Sequence, residues 1–177
     1  REDLDVVMIA RGGYGLSRLL DRIDWALVAA SASRGVRWVG YSDFTAFQLA
    51  LLARTGAASY AGPGVSGDFG VPAPDSFMLE HFDALRAGRL LPIRWNDEHP
   101  APQPGGRQSV DGTLWGGNLS LVAGAVGTPF LPVVDDGILF VEDVSEHPYR
   151  VERMLHQLLY AGVLLRQRAV LLGAFTD

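Results

Sequence analysis

A serine between a β-type run and a helical run stands where an alcohol can act as a nucleophile, and Gly40-Tyr41-Ser42-Asp43 has that setting. A tight strand-to-helix turn points the Ser42 hydroxyl outward and turns the Asp43 amide toward the same space, where it can help bind an oxyanion. Gly40 suits the crowding of such a turn. The bland use of the same residues is a helix N-cap, for which Ser and Asp are both preferred. Spacing alone leaves both uses open, the cap being the commoner. The pattern departs from G-x-S-x-G, because Phe44 occupies the second glycine's place.

Three further groups carry chemical potential. Arg11-Gly12-Gly13-Tyr14-Gly15 follows a strand-like run and opens a helical one. Its spacing is wrong for a dinucleotide fingerprint, since position 18 is Arg, but paired glycines can free backbone amides to cradle a carbonyl oxygen or a carboxylate. A tight turn without a ligand explains it equally well. Glu142-Asp143 closes an apolar run, where a carboxylate can orient a histidine or merely begin a loop, and Asp143 or Ser145 could cap the following helix. Trp115-Gly116-Gly117-Asn118 combines a flat aromatic, two flexible positions and an amide, which suits a gripping pocket or a glycine turn with an Asn cap. The four histidines, His81, His99, His147 and His156, show no H-x-x-x-H or H-E-x-x-H spacing, so no zinc site is expected.

The elements that must position these groups follow from periodicity. Val6–Ala10 and Val36–Tyr41 read as buried strands, and Ala57–Ala61 as a weaker one. Leu16–Ile23 and Asp43–Arg54 repeat apolar residues at helical spacing. Strand, glycine turn and helix in alternation describe βαβ units and a parallel sheet. Residues 62–76 read as a Gly/Pro-rich loop and Phe77–Ala87 as a short helix. Farther on, Gly112–Gly117 reads as a glycine-rich turn, Asn118 to about Val126 as a helix, Ile138–Val141 as a strand, Pro148–Gly162 as a helix and Ala169–Leu172 as a strand. Pro148 suits a first helical turn and Gly162 a C-terminal cap. The expected organisation is a domain over 1–95, a Pro/Gly-rich linker over 96–111 and a partial domain over 112–177.

Composition narrows the chemistry. The absence of Cys removes a thiol nucleophile, disulfides and Cys-ligated metals. All 15 basic residues are Arg, so a Schiff-base enzyme, a Ser–Lys dyad and a phosphate-loop ATPase lack their lysine. A net charge of −5 argues against a nucleic-acid partner, and no apolar run approaches the ~20 residues of a membrane span. The first residue is Arg1 rather than Met, which fits a fragment or a processed chain.

Taken together, the segments resemble the LD-carboxypeptidases, serine peptidases that include the microcin C immunity proteins. The blocks that carry the likeness are Ala10–Gly15 with Arg18-Leu19-Leu20, Gly40–Ala46, Gly62-Pro63, Gly112–Ser120, Gly127-Thr128-Pro129, Leu139–Val144, Tyr149–Leu155 and Gly173–Asp177. The resemblance implies an α/β enzyme, with a Rossmann-like N-terminal domain on a parallel sheet and a swivelling or barrel-like C-terminal β domain with helices, truncated here at both ends. It implies a Ser–His–Glu triad in which Ser42 is the nucleophile and Glu142 the acid, with an oxyanion hole from the amides of Gly13 and Asp43. Arg11, Trp115 and Asn118 are then candidate substrate-binding residues. The implied substrate is a muropeptide cut between meso-diaminopimelate and the terminal D-Ala during cytoplasmic cell-wall recycling. No metal or cofactor is implied, and a homodimer is compatible.

The family's histidine lies beyond a G-x-F-T-D-like segment, and this sequence ends at Asp177, directly after it. None of the four histidines matches the motif. The base is therefore expected outside these residues. Two alternatives stand beside the carboxypeptidase: hydrolysis of a peptidyl-nucleotide antibiotic, as in the immunity proteins, and an inactive remnant that binds muropeptide without turnover.

Overall fold

The computed structural model describes residues 4–94 and 109–176. Most of the stretch expected to be a linker, 96–111, lies outside the described residues, as does His99. Two three-stranded sheets organise the rest. In the first, β1 (Val6–Met8), β2 (Arg37–Gly40) and β3 (Tyr60–Ala61) are parallel and lie in that order, with Val7 opposite Trp38 and Val39 opposite Tyr60. Parallel neighbours need crossovers. These are α1 (Trp25–Ser33) and α2 (Thr45–Thr55).

The helix expected over Leu16–Ile23 is instead two single 3-10 turns, Leu16–Arg18 and Leu20–Arg22. Ile23 is extended, and Asp24 caps the true helix by accepting the Leu27 N–H at 3.0 Å. The apolar spacing therefore marks contact with the core rather than helical continuity. Leu20 packs with Ala46 and Ala50 of α2. A second cluster gathers Val28, Phe44, Phe47 and Leu51, with Phe44 and Phe47 stacked at 4.7 Å.

After α3 (Ser76–Arg86), the second sheet is formed by β4 (Leu114–Asn118), β5 (Gly137–Val144) and β6 (Gln167–Thr176), parallel and in that order. Its crossovers are α4 (Leu119–Gly124) and α5 (Pro148–Tyr160). The expected turn at Gly112–Gly117 is mostly strand. Its glycines reflect crowding: a Cβ on Gly116 would lie 2.0 Å from the Phe140 carbonyl oxygen, and one on Gly117 would lie 2.5 Å from Thr45 Oγ1. α5 ends as the sequence suggests. Gly162, at φ 75°, donates to Leu159 and Val163 donates to Leu158, so the last carbonyls are satisfied.

β5 alternates strictly. Leu139, Val141 and Asp143 face inward, and Ile138, Phe140 and Glu142 face the other side. Leu119, Val122, Leu139, Val141 and Leu158 form the buried core of this half, joined by Leu49 of α2. Each fully buried leucine contributes about 1.5–3 kcal/mol. α2 thus packs against both sheets, and the serine turn at its N-terminus is held by both. No helix among the described residues is long and apolar enough to cross a membrane.

Candidate active site

β2 ends at Gly40, and the next residues turn the chain into α2. Tyr41 is extended, Ser42 adopts φ 58°, and Ser42–Phe44 form one 3-10 turn. A left-handed backbone costs an ordinary residue about 1–2 kcal/mol and persists only where the surroundings enforce it. The enforcement is visible. Phe44 folds back so closely that a Cβ on Gly40 would lie 2.6 Å from its ring. From the opposite side Gly12 presses on the serine, and a Cβ there would be 2.9 Å from both Ser42 Cβ and Oγ.

The expected N-cap is not made. Tyr41 and Phe44 occupy the cap positions of the turn and of α2, and neither forms a side-chain cap. Asp43 reaches away from α2, and its Oδ2 accepts the Leu16 N–H at 3.0 Å. That bond fastens the Arg11–Gly15 loop against the serine turn, and Gly12 is the loop residue that abuts Ser42. Beside them lies an open cavity of about 520 Å³ whose lining includes Ile9, Arg11, Tyr14, Arg18 and Asp43. Arg11 is exposed, and the Arg18 guanidinium sits 5.4 Å above the Tyr14 ring.

The chain after β3 packs along the end of β1. Val65 donates to the Ile9 carbonyl at 3.0 Å and Ser66 to that of Ala10 at 2.8 Å, while Asp68 accepts from the Gly64 amide at 2.8 Å. The Tyr41 hydroxyl lies against this loop at Gly67. It is pushed above its ordinary pKa, first by burial, then by the charge of Asp68 and a hydrogen bond to it, and last by the charge of Glu142. Tyr41 thus senses both the loop and the candidate acid.

Glu142 is half-buried on β5, opposite Asn118 of β4. Burial, and after it the charge of Asp143, raise its carboxyl above the usual carboxylate range, while the Asn118 amide pulls the other way. Asp143 caps nothing in α5, contrary to the expectation, and neither does Ser145; the cap position there is His147, with no side-chain bond. Asp143 is buried and fully used: Oδ1 accepts from Asn118 Nδ2 at 2.8 Å and Val144 N at 2.9 Å, and Oδ2 from Ser120 N at 2.9 Å and Ser120 Oγ at 2.8 Å.

Two expected pocket residues belong to the scaffold. Trp115 is only 4 % exposed and packs in the core, and its indole N–H donates to Gln167 Oε1 at 2.8 Å. Asn118 is buried and caps α4, its Oδ1 accepting the Leu121 N–H at 3.2 Å while its Nδ2 holds Asp143. Both ends of that amide are engaged within the protein. His81 lies tilted against Phe77 and bonds to its carbonyl, His147 stacks on Tyr149 and His156 on Tyr160. Among the described residues no three carboxylate or imidazole groups converge as a metal set. Gly12, Tyr41 and Thr45 also shape the site, and the sequence assigns them no role. Only the glycine doublet could have signalled the first, and nothing local signals the other two.

The model of the LD-carboxypeptidase N-terminal domain matches residues 1–62, and that of the LD-carboxypeptidase C-terminal domain matches residues 111–177. The murein tetrapeptide carboxypeptidase of Pseudomonas aeruginosa is 36% identical over 181 residues, covering 99% of this chain and 57% of that protein. Among solved structures, muramoyltetrapeptide carboxypeptidase from Oxalobacter formigenes superposes with a TM-score of 0.86 at 43% identity, covering 100% of this chain and 58% of that one. MccF in complex with glutamyl sulfamoyl guanosine gives 0.81 at 26% identity, covering 100% of this chain and 60% of that one. The chain spans about half the length of the curated relatives it matches. Two family models in order, together covering more than half of the residues, and a shared fold have one meaning: the chain belongs to the LD-carboxypeptidase family.

Proposed function

We propose that these residues form the nucleophile-bearing part of a serine carboxypeptidase that hydrolyses the peptide bond between meso-diaminopimelate and the terminal D-Ala of muropeptides, in cytoplasmic cell-wall recycling. Residues 1–95 supply the nucleophile and 112–177 the acid. The observation that carries the proposal is Ser42 itself, a half-buried hydroxyl released from capping, held at φ 58° and pressed by Gly12.

Ser42 Oγ attacks the scissile carbonyl, and its proton passes to an imidazole. Glu142 orients that imidazole and stabilises its charge. The amides of Gly13 and Asp43 bind the oxyanion, each donor being worth about 3–4 kcal/mol to the transition state. The C–N bond breaks, D-Ala leaves with the proton from the imidazole, and water then hydrolyses the Ser42 ester. Arg11 suits the free carboxylate of the D-amino acid through paired N–H donors. The base is assigned, as the family resemblance implies, to a histidine beyond the G-x-F-T-D-like segment, because none of His81, His99, His147 and His156 matches the family's motif.

The test is D-Ala release from murein tetrapeptide by the full-length protein containing this chain. Ser42→Ala should lower turnover by about 10⁶-fold, as loss of a triad nucleophile does, and leave thermal unfolding within a few degrees. Wild-type turnover by that variant would end the proposal. The likeness to MccF favours a second reading, hydrolysis of a peptidyl-nucleotide. Faster turnover of a peptidyl-adenylate than of tetrapeptide would select it. Muropeptide binding without any turnover would select an inactive remnant.

A further inference from the structure

Ser42 follows the β2 strand of one sheet and Glu142 lies on β5 of the other, so a triad built from them needs something to fix their separation. We infer that Thr45 is the positioning residue that does so, an inference that rests on the catalytic reading above. Thr45 is the first residue of α2 and is 1 % exposed. Its amide donates back to the Ser42 carbonyl, closing the 3-10 turn that holds the serine. Its Oγ1 accepts the backbone N–H of Asn118 at 3.0 Å, a buried bond between residues 73 apart in sequence. Asn118 is the register partner of Glu142.

Two hydrogen bonds and one strand pairing therefore connect nucleophile to acid, all through backbone or short side chain. Little slack exists in such a path. Gly117 removes what remains, since any Cβ there would strike the Thr45 hydroxyl. The Asn118 amide is clamped from below as well, because its side chain is fixed to Asp143 and Leu121. The network thus sets where Glu142 presents its carboxylate relative to Ser42, and beside the packing of Leu49 the hydroxyl of Thr45 is the single hydrogen bond between α2 and β4 among the described residues. A shift of about 1 Å at such a site can cost 10²-fold in rate.

Two substitutions in the full-length protein separate positioning from packing. Thr45→Val keeps the shape and loses the acceptor; Thr45→Ser keeps the acceptor and loses a methyl. Positioning predicts that Thr45→Val lowers kcat roughly 10- to 100-fold, with KM changed less than about threefold. Labelling of Ser42 by a fluorophosphonate should slow by the same factor. Thr45→Ser should hold kcat within about threefold even though it loses core contacts and Tm falls. If kcat instead follows Tm in both variants, or Thr45→Val turns over at the wild-type rate, the inference is overturned. If Thr45→Val does not fold, Thr45→Ser decides alone: kcat held despite the lower Tm supports the inference, and kcat lost with it refutes it. Ser42→Ala, measured alongside, keeps the two ideas apart. Full turnover there removes the catalytic reading, whereas a dead Ser42→Ala beside an unimpaired Thr45→Val removes only the role of Thr45.

Discussion

Gly12→Ala is the sharpest perturbation that the serine turn offers. The added Cβ would lie 2.9 Å from both Ser42 Cβ and Oγ. Carbon–carbon contacts settle near 3.5–4.0 Å, so one segment must yield by at least about 0.6 Å. The hydroxyl could rotate away, but the Ser42 Cβ cannot, because the backbone at φ 58° fixes its direction. The Arg11–Gly15 loop is not free to retreat either, since the Leu16 amide is bonded to Asp43. Overpacking of this size costs about 1–3 kcal/mol of stability, and moving a nucleophile by a large fraction of an ångström costs up to about 10²-fold in rate. On the proposed function, kcat for D-Ala release by the full-length protein should fall roughly 10- to 100-fold at a temperature where the variant remains folded by circular dichroism. A folded Gly12→Ala variant with wild-type kcat would refute the claim that Gly12 abuts the proposed nucleophile.

Glu142→Gln tests the electrostatics of the proposed acid. A carboxyl whose folded pKa is raised contributes stability that is present below its unfolded value and lost as pH rises through the folded value. Replacing it should therefore make the protein relatively more stable at pH 7, with the advantage shrinking toward pH 4, while turnover collapses; a Tm difference that ignores pH would contradict this. Trp115→Phe should cost about 1–3 kcal/mol by orphaning Gln167 Oε1 while leaving KM for tetrapeptide unchanged. A many-fold rise in KM at intact Tm would return Trp115 to the cleft.

What was legible in the sequence was written in local signals. Pro148 and Gly162 bracket α5, the apolar run before Glu142 marks β5, and Gly40-Tyr41-Ser42-Asp43 marks the junction where the serine stands. What was hidden depends on residues far apart. Gly116 and Gly117 looked like a turn because glycine is the usual turn residue, yet they sit in a strand that must pass under Thr45 and the Phe140 carbonyl. Trp115 looked like a pocket aromatic because its partner, Gln167, is 52 residues away. Asp43 looked like a cap because its bond to Leu16 spans 27 residues in the reverse direction. α1 gives no periodic signal, since Trp25–Ser33 is rich in Ala and Ser and lacks an apolar stripe, although Asp24 announces its start.

The most direct measurement is peptide mass spectrometry of the full-length protein quenched during turnover of tetrapeptide. An acyl adduct carrying the tripeptide on the Ser42 hydroxyl is the expected result. Active turnover with the adduct on another side chain, or with Ser42 unmodified at every quench time while a Ser42→Ala variant still releases D-Ala, would contradict the account.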